Sequence, residues 1–276
     1  MGKLPIITVL FWVMKILATT LGETGGDVAG QTLNLGYLAS AFIFIVLLIV
    51  VLVMQLRTKT FHPALFWAVI VATSLVGTEI SDFMNRTLGL GYAGGAAVLI
   101  ACLVVVLAIW RFTGQTMQVE QIESRRDEVL YWAATLISNT LGTSTGDWLA
   151  HDEGLGVGYV TSTIIISAAL VVLAAAHYLT PVSGTLVFWA AYVLTRPLGA
   201  NAGNVLSKTH DEGGLGLGTF GASGVLLGML AVCIAYQMMT RRQQTRTLLD
   251  IEAHRAPKRL ADEGPALGRG ARNNDR

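Results

Sequence analysis

Five carboxylates set in otherwise apolar stretches are the residues here with the most capacity for chemistry: Glu23, Asp27, Glu79, Asp82 and Asp147. They belong to four segments that align on a glycine. The first two read Gly22-Glu23-Thr24-Gly25-Gly26-Asp27 and Gly77-Thr78-Glu79-Ile80-Ser81-Asp82. The others read Gly142-Thr143-Ser144-Thr145-Gly146-Asp147 and Gly199-Ala200-Asn201-Ala202-Gly203-Asn204. Polar positions within each lie three or four residues apart: Glu23 with Asp27, Glu79 with Asp82, Thr143 and Ser144 with Asp147, Asn201 with Asn204. On a helix that spacing puts both groups on one face. All these candidate ligands are oxygens, and no His, Cys or Met lies in the four motifs. Such sets suit hard cations such as Mg, Ca or Mn better than Zn or Cu. The expected cation- or proton-binding group is thus Glu23, Asp27, Glu79, Asp82 and Asp147, the candidate metal ligands, together with Asn201 and Asn204.

Five like charges in one low-dielectric cavity cannot all stay ionised without counter-charge. Two basic residues lie in the same apolar stretches, Lys15 and Arg196. Arg196 stands three residues before Gly199, in the one segment that has lost both acids. That exchange predicts that Arg196 pairs with carboxylates of neighbouring segments. Five acids against two bases leave three negative charges for a cation or exchangeable protons. Units three and four also carry matching insertions, His151-Asp152-Glu153-Gly154 and His210-Asp211-Glu212-Gly213. These could form an outer cation vestibule or sense external pH, since histidine titrates near neutrality. They also read as ordinary solvated turns.

The elements that must hold these groups are membrane helices. Of 276 residues, 53% are hydrophobic and 13% charged, against about 25% charged in average soluble domains. Ala41–Met54, Ala96–Ile109 and Thr163–Ala176 hold no charge, and an apolar run of about 18 residues or more can span a bilayer. The N-terminal run to Met14 imitates a signal peptide, but Lys15 interrupts it and the segment recurs internally, so it reads as the first membrane helix. Cys102 and Cys233 have no metal or redox spacing and read as small buried hydrophobes. The net charge of +1 gives no reason to expect nucleic acid.

An aromatic–Trp pair occurs four times: Phe11-Trp12, Phe66-Trp67, Tyr131-Trp132 and Phe188-Trp189. Each motif glycine follows its Trp by ten residues, and a Gly-rich turn ends at Gly36, Gly91, Gly158 or Gly218. Four matches at one internal spacing mark a repeat. Each unit predicts a first helix from near Pro5, Pro63, Val129 or Pro181, then a polar turn, then a second helix from near Tyr37, Tyr92, Tyr159 or Thr219. Proline suits the first turn of a helix. The pattern resembles the bacterial membrane proteins built of four tandem "domain of unknown function 347" repeats. Each repeat of that family has two transmembrane segments and a tryptophan, here Trp12, Trp67, Trp132 and Trp189. The resemblance covers about residues 5–240 and carries no function.

The expected fold is an all-α integral membrane protein with eight transmembrane helices from four parallel two-helix repeats. The transmembrane domain covers 1–240, with repeats at about 5–58, 61–112, 129–179 and 181–240. A cytoplasmic helix extension and a disordered basic tail follow at 241–276, with the helix ending near Arg255. Arg111–Glu128 is expected to extend helix four in the same way. Lys3, Arg57, Lys59, Arg111, Arg125, Arg126, Arg241, Arg242 and Arg246 lie at the N-terminus, between units or after the last, whereas the turns within units hold only Arg86 and Lys208. The excess of basic residues in cytoplasmic loops places both termini in the cytoplasm of an inner (plasma) membrane. The motifs then fall in the outer half of the bilayer.

Blander readings stand beside these. Glycine lets membrane helices pack closely, and Asp or Asn can cap a helix. The Trp pairs can be packing or interfacial anchors, and Lys15 can snorkel toward water. Thr19, Thr20, Thr73, Ser74, Ser138, Asn139 and Thr140 sit one turn below the motifs and can line a pathway or bond to the backbone. The leading functional expectation is transport of a small cation, either a hard divalent metal such as Mn or Mg, with its export coupled to proton entry at shared carboxylates, or protons themselves. The alternative is a non-transporting sensor or scaffold that reads external ions or pH. No Ser/His/Asp set, His-Glu-x-x-His motif or phosphate loop suggests an enzyme. No cofactor is required, a bound divalent cation is the one candidate, the bilayer is the surrounding partner, and a homo-oligomer stays open.

Overall fold

The computed structural model describes residues 5–58, 60–113, 117, 119, 122 and 124–267, with side chains through 241 and at 243. Lys3, Lys59 and the tail beyond 267 lie outside the described residues. Among the described residues eight α-helices follow one another: α1 Val9–Asp27, α2 Tyr37–Arg57, α3 Pro63–Asp82, α4 Gly91–Thr113, α5 Arg125–Ala150, α6 Tyr159–Leu179, α7 Gly184–Ser207 and α8 Gly218–Leu267. The chain divides into a compact unit, Met1–Ala231, and a second unit, Val232–Arg276.

Local chemistry explains the starts. Thr8 caps α1 by accepting from the Phe11 amide, and Ser124 caps α5 by accepting from the Asp127 amide, each satisfying an orphan donor of a first turn. Only Pro63 occupies a first helical position. Pro5 and Pro181 precede their helices, so α1 and α7 start later than the prolines suggest, while α5 starts four residues before Val129. Arg111–Glu128 is not one continuation of helix four. α4 ends at Thr113, and the chain returns to α5, where Asp127 accepts from Trp110 Nε1 at 3.0 Å. At the other end α8 runs past Arg255 to Leu267, through good helix formers such as Ala256, Lys258, Arg259 and Leu260. The second helices begin after glycines in the left-handed region, with φ of 76° at Gly36 and 77° at Gly158, which an L side chain resists.

The first helices form an inner ring. α1 packs on α3 and α7, and α5 packs on α3 and α7. The order α1–α3–α5–α7 therefore closes on itself. The aromatic pairs trace the same circle. Phe11 meets Trp67 at 5.7 Å, Phe66 meets Trp132 at 5.6 Å, Tyr131 meets Trp189 at 6.2 Å, and Phe188 meets Trp12 at 5.7 Å. Each unit's aromatic touches the next unit's Trp, within the range of favourable ring contacts. These tryptophans are thus packing elements: Trp67, Trp132 and Trp189 are buried, and Trp12 is half-buried.

The second helices lie outside. α2 packs on α3, α4 on α5 and α6 on α7, so each covers the next unit's inner helix. For α8, Ser223 donates to Thr24 on α1. Among the described residues five helical segments are long and apolar enough to cross a membrane: Tyr37–Arg57, Pro63–Thr87, Gly91–Thr113, Tyr159–Leu179 and Gly218–Arg241. The other three helices, α1, α5 and α7, belong to the inner ring with α3 and carry Lys15, Glu23, Asp127, Asp147 and Arg196. Their polar groups lower mean hydropathy while facing protein. The contrast in cover is large, with 67% of the α3 span buried against 17% of α2. Cys102 on α4 is exposed rather than buried, because it points away from the ring.

Candidate functional site

The repeat register places equivalent side chains in layers along the axis of the inner ring. Three residues before each motif glycine stand Thr19, Ser74, Asn139 and Arg196. Each glycine packs on that position of the next helix. A Cβ at Gly22 would lie 2.2 Å from Ser74 Cβ, and at Gly142 it would lie 2.2 Å from Arg196 Cγ. Gly77 meets Asn139 and Gly199 meets Thr19 in the same way. The glycine is therefore a helix-packing residue, and the close approach brings the axial groups together.

Arg196 crosses the axis. Its Nε donates to the Asn139 carbonyl at 3.1 Å, Nη1 to the Thr19 carbonyl at 2.8 Å and Nη2 to the Ser74 carbonyl at 3.2 Å. Its guanidinium thus reads the three main-chain oxygens equivalent to its own position. Nη2 also reaches Thr78 Oγ1, Thr143 Oγ1 at 2.9 Å and Glu23 Oε2 at 3.4 Å. Glu23, Thr78 and Thr143 are themselves equivalent, one residue past each glycine. Asn204 Nδ2 donates to Glu23 Oε1 at 3.5 Å. The expected pairing of Arg196 with a carboxylate of another unit is present, and Arg196 and Glu23 are both buried.

One layer toward the helix starts, Lys15 is buried and donates to Asn139 Oδ1 at 3.4 Å, with its ammonium 4.2 Å from the Tyr192 ring centroid. A cation over an aromatic face is attracted by the ring quadrupole. Lys15 does not snorkel, because the Asn139 oxygen and the Tyr192 face hold its head inside the ring. Tyr192 in turn bonds Thr135 and Tyr131, each at 3.1 Å.

Toward the turns lies the layer Asp27, Asp82, Asp147 and Asn204, and nine residues past each glycine a second layer, Gln31, Arg86, His151 and Lys208. Gln31 donates to Asp27 at 2.5 Å, and Arg86 Nε lies 3.4 Å from Asp82. Arg86 Nη2 also reaches Asp147 at 3.7 Å, and Lys208 reaches Asp27 at 3.9 Å. Both cations therefore bridge to the following unit. Sequence reasoning missed Arg86 and Lys208 as site members, although their shared offset from the motif glycine was visible. With them, five acids face four bases instead of two, and the three uncompensated charges fall to one.

The remaining candidates are more dispersed. Glu79 is buried between α3 and α1, with both oxygens 2.9 Å from a Cβ built on Gly30, and its Oε2 has no hydrogen-bond partner among the described residues. It is off the Arg196 network because its position, two past the glycine, faces the previous unit. Asn201 faces Gly146 of the previous unit likewise. Asp27 and Asp82 end α1 and α3 and lead into π-helical turns, Val28–Thr32 and Phe83–Thr87, at whose starts their side chains make no capping hydrogen bond, while Asp147 and Asn204 lie inside α5 and α7.

His151 joins the layered site, 3.8 Å from Asp147 and 3.1 Å from the Tyr159 hydroxyl, stacked on Tyr92. The other inserted residues form turns. His210–Glu212 is one 3-10 turn in which Glu212 accepts from the Thr209 amide and hydroxyl, and those bonds hold its carboxyl below the usual range. Asp152, Glu153 and Asp211 are exposed. No hydrogen bond or ion pair joins the two triplets among the described residues. No group of three or more His, Cys, Asp and Glu among the described residues could hold a metal ion.

Burial, with Arg86 and Lys208 nearby, holds the His151 imidazole below its ordinary value despite Asp152 and Glu153. The folded chain then binds this proton less readily than the unfolded chain. The contribution is therefore intact above the unfolded value of about 6.5 and is lost as pH falls from there through the lower folded value. His151→Gln should reduce the loss of thermal stability on acidification across that range, measured as the change in melting midpoint of both proteins.

A family model described as Repeat of Unknown Function (DUF347) matches four tandem segments, residues 10–61, 65–116, 130–182 and 187–243. Comparison with curated proteins and with solved structures returns no match.

Proposed function

We propose that this chain, which belongs to the DUF347 repeat family, is an eight-helix inner-membrane protein that moves protons or another small cation by rearranging a buried axial ion-pair network. In this reading α1, α5 and α7 span the bilayer inside a shell of apolar helices. Both termini face the cytoplasm, and the Asp layer lies in the outer half of the membrane. The observation that carries it is the stack itself. Lys15, Arg196 with Glu23, and the Asp27–Asp82–Asp147 layer with Arg86 and Lys208 come from all four repeats and line one axis. Ionisable groups inside membrane segments are costly and usually mark ion or proton paths.

Protons fit the site better than a hard divalent metal. Glu23, Asp27, Asp82 and Asp147 already face cations or amides of the chain, so a metal would have to displace several at once. A proton moving between carboxylates only re-sorts the existing pairs. Asp82→Asn removes one acid of the layer and keeps its size. In liposomes that trap a pH- or metal-sensitive dye, the wild type should carry protons or a cation from a panel including Mn and Mg. The variant should insert normally and fall to the protein-free background. Normal flux through Asp82→Asn would refute the mechanism. Wild-type flux at background for every ion would favour the sensor or scaffold reading.

A further inference from the structure

The Arg196 guanidinium occupies a cage built almost wholly of acceptors. The Thr19, Ser74 and Asn139 carbonyls approach from three inner helices, at 2.8, 3.2 and 3.1 Å. The Thr78 and Thr143 hydroxyls and the Glu23 carboxylate complete it. Three of the four repeats thus offer a main-chain oxygen at one register position. Only the fourth places a long side chain there, and that side chain fills the space the other three surround.

We infer that the axis of the inner ring is a binding site for a planar organic cation of the guanidinium class, which the fourth repeat fills with its own Arg196. The cage has the right chemistry for such an ion. The arginine guanidinium presents five donors in a rigid plane and the free ion six, and the group is weakly hydrated compared with an ammonium. The acceptors here come from separate helices around it. A buried carboxylate, Glu23, supplies the compensating charge. The glycine facing the Arg196 stem, Gly142, leaves the room that the stem takes. Tethering turns the site into a plug: while Arg196 is present a free cation finds no vacancy, and the axis is closed at this level. The inference stands on the cage and does not depend on transport.

The test uses the full-length chain in detergent. Arg196→Ala removes the tethered cation and leaves the acceptors. Free guanidinium ion at low millimolar concentration should raise the melting midpoint of Arg196→Ala saturably. At ten times its dissociation constant it shifts the folding equilibrium about 11-fold. Equal sodium chloride, or urea as a neutral planar analogue, should not. Wild type, whose site is filled, and Arg196→Met, whose side chain fills it without charge, should not respond. If Arg196→Ala is not recovered folded from sodium chloride alone, its recovery in guanidinium chloride against equal sodium chloride becomes the readout, with Glu23 and the other acceptors kept in place. No guanidinium-specific rise in Arg196→Ala by either readout, or an equal rise in wild type, would overturn the inference.

Discussion

Replacing Arg196 with methionine is expected to lower the stability of the folded chain by about 3–5 kcal/mol, the usual cost of breaking a buried ion pair from one side. Methionine matches the stem and fills space, so most of the loss would come from charge. Glu23 would be left buried, keeping only the weak donors Thr78, Thr143 and Asn204. The size effect and the charge effect are separable. Glu23→Gln/Arg196→Met removes both charges, and replacing a whole buried pair by well-packed neutral groups is often neutral or better. The double variant should therefore recover most of what the single variant loses. A thermal melt in detergent reads both. The single variant should fall by roughly 10 °C, and equal losses in the two variants would show that Arg196 acts through packing rather than through its pair with Glu23.

The second large effect concerns backbone approach. Alanine at Gly199 would put a Cβ 2.3 Å from Thr19 Oγ1 and 2.9 Å from the Thr20 amide nitrogen. The amide cannot move without α1, so α7 must back away from it. Overpacking of this kind costs about 1–3 kcal/mol, and here it also pulls Arg196, three residues away, from its carbonyl cage. Gly224→Ala is the opposite case. Gly224 on α8 has nothing within 4 Å of a built Cβ, so alanine there should be neutral or add up to about 1 kcal/mol through helix propensity. The same melts compare them, and a neutral Gly199→Ala would mean that the α1–α7 contact is looser than these distances state.

Much of the fold was legible in the sequence, and for a specific reason. A four-fold repeat forces equivalent residues into equivalent places, so the offset of each glycine from its Trp was enough to define four helix pairs. The weakest sequence readings were those that depended on single residues outside the repeat. Pro5 and Pro181 were poor guides to helix starts, because a proline suits the residues before a helix as well as its first turn. The run Arg111–Glu128 read as a continuous helix, because its composition hides the Ser124 cap that starts a new one.

The site was legible as a set of residues but not as an arrangement. Periodicity grouped Glu23 with Asp27, and Glu79 with Asp82, by shared helix face. In the folded chain Glu23 belongs with Arg196, Thr78 and Thr143, from three other helices. Asp27 belongs with Gln31 and Lys208, and Glu79 turns aside against Gly30. The sequence by itself determined the helical repeat, its apolar shell, the positions of the buried acids and the asymmetry that puts arginine in the fourth unit. Only the tertiary structure decided which acid meets which base, because that depends on how inner helices from different repeats are rotated about a common axis. A one-helix pattern records the face a residue occupies, and it cannot record which neighbouring helix that face meets.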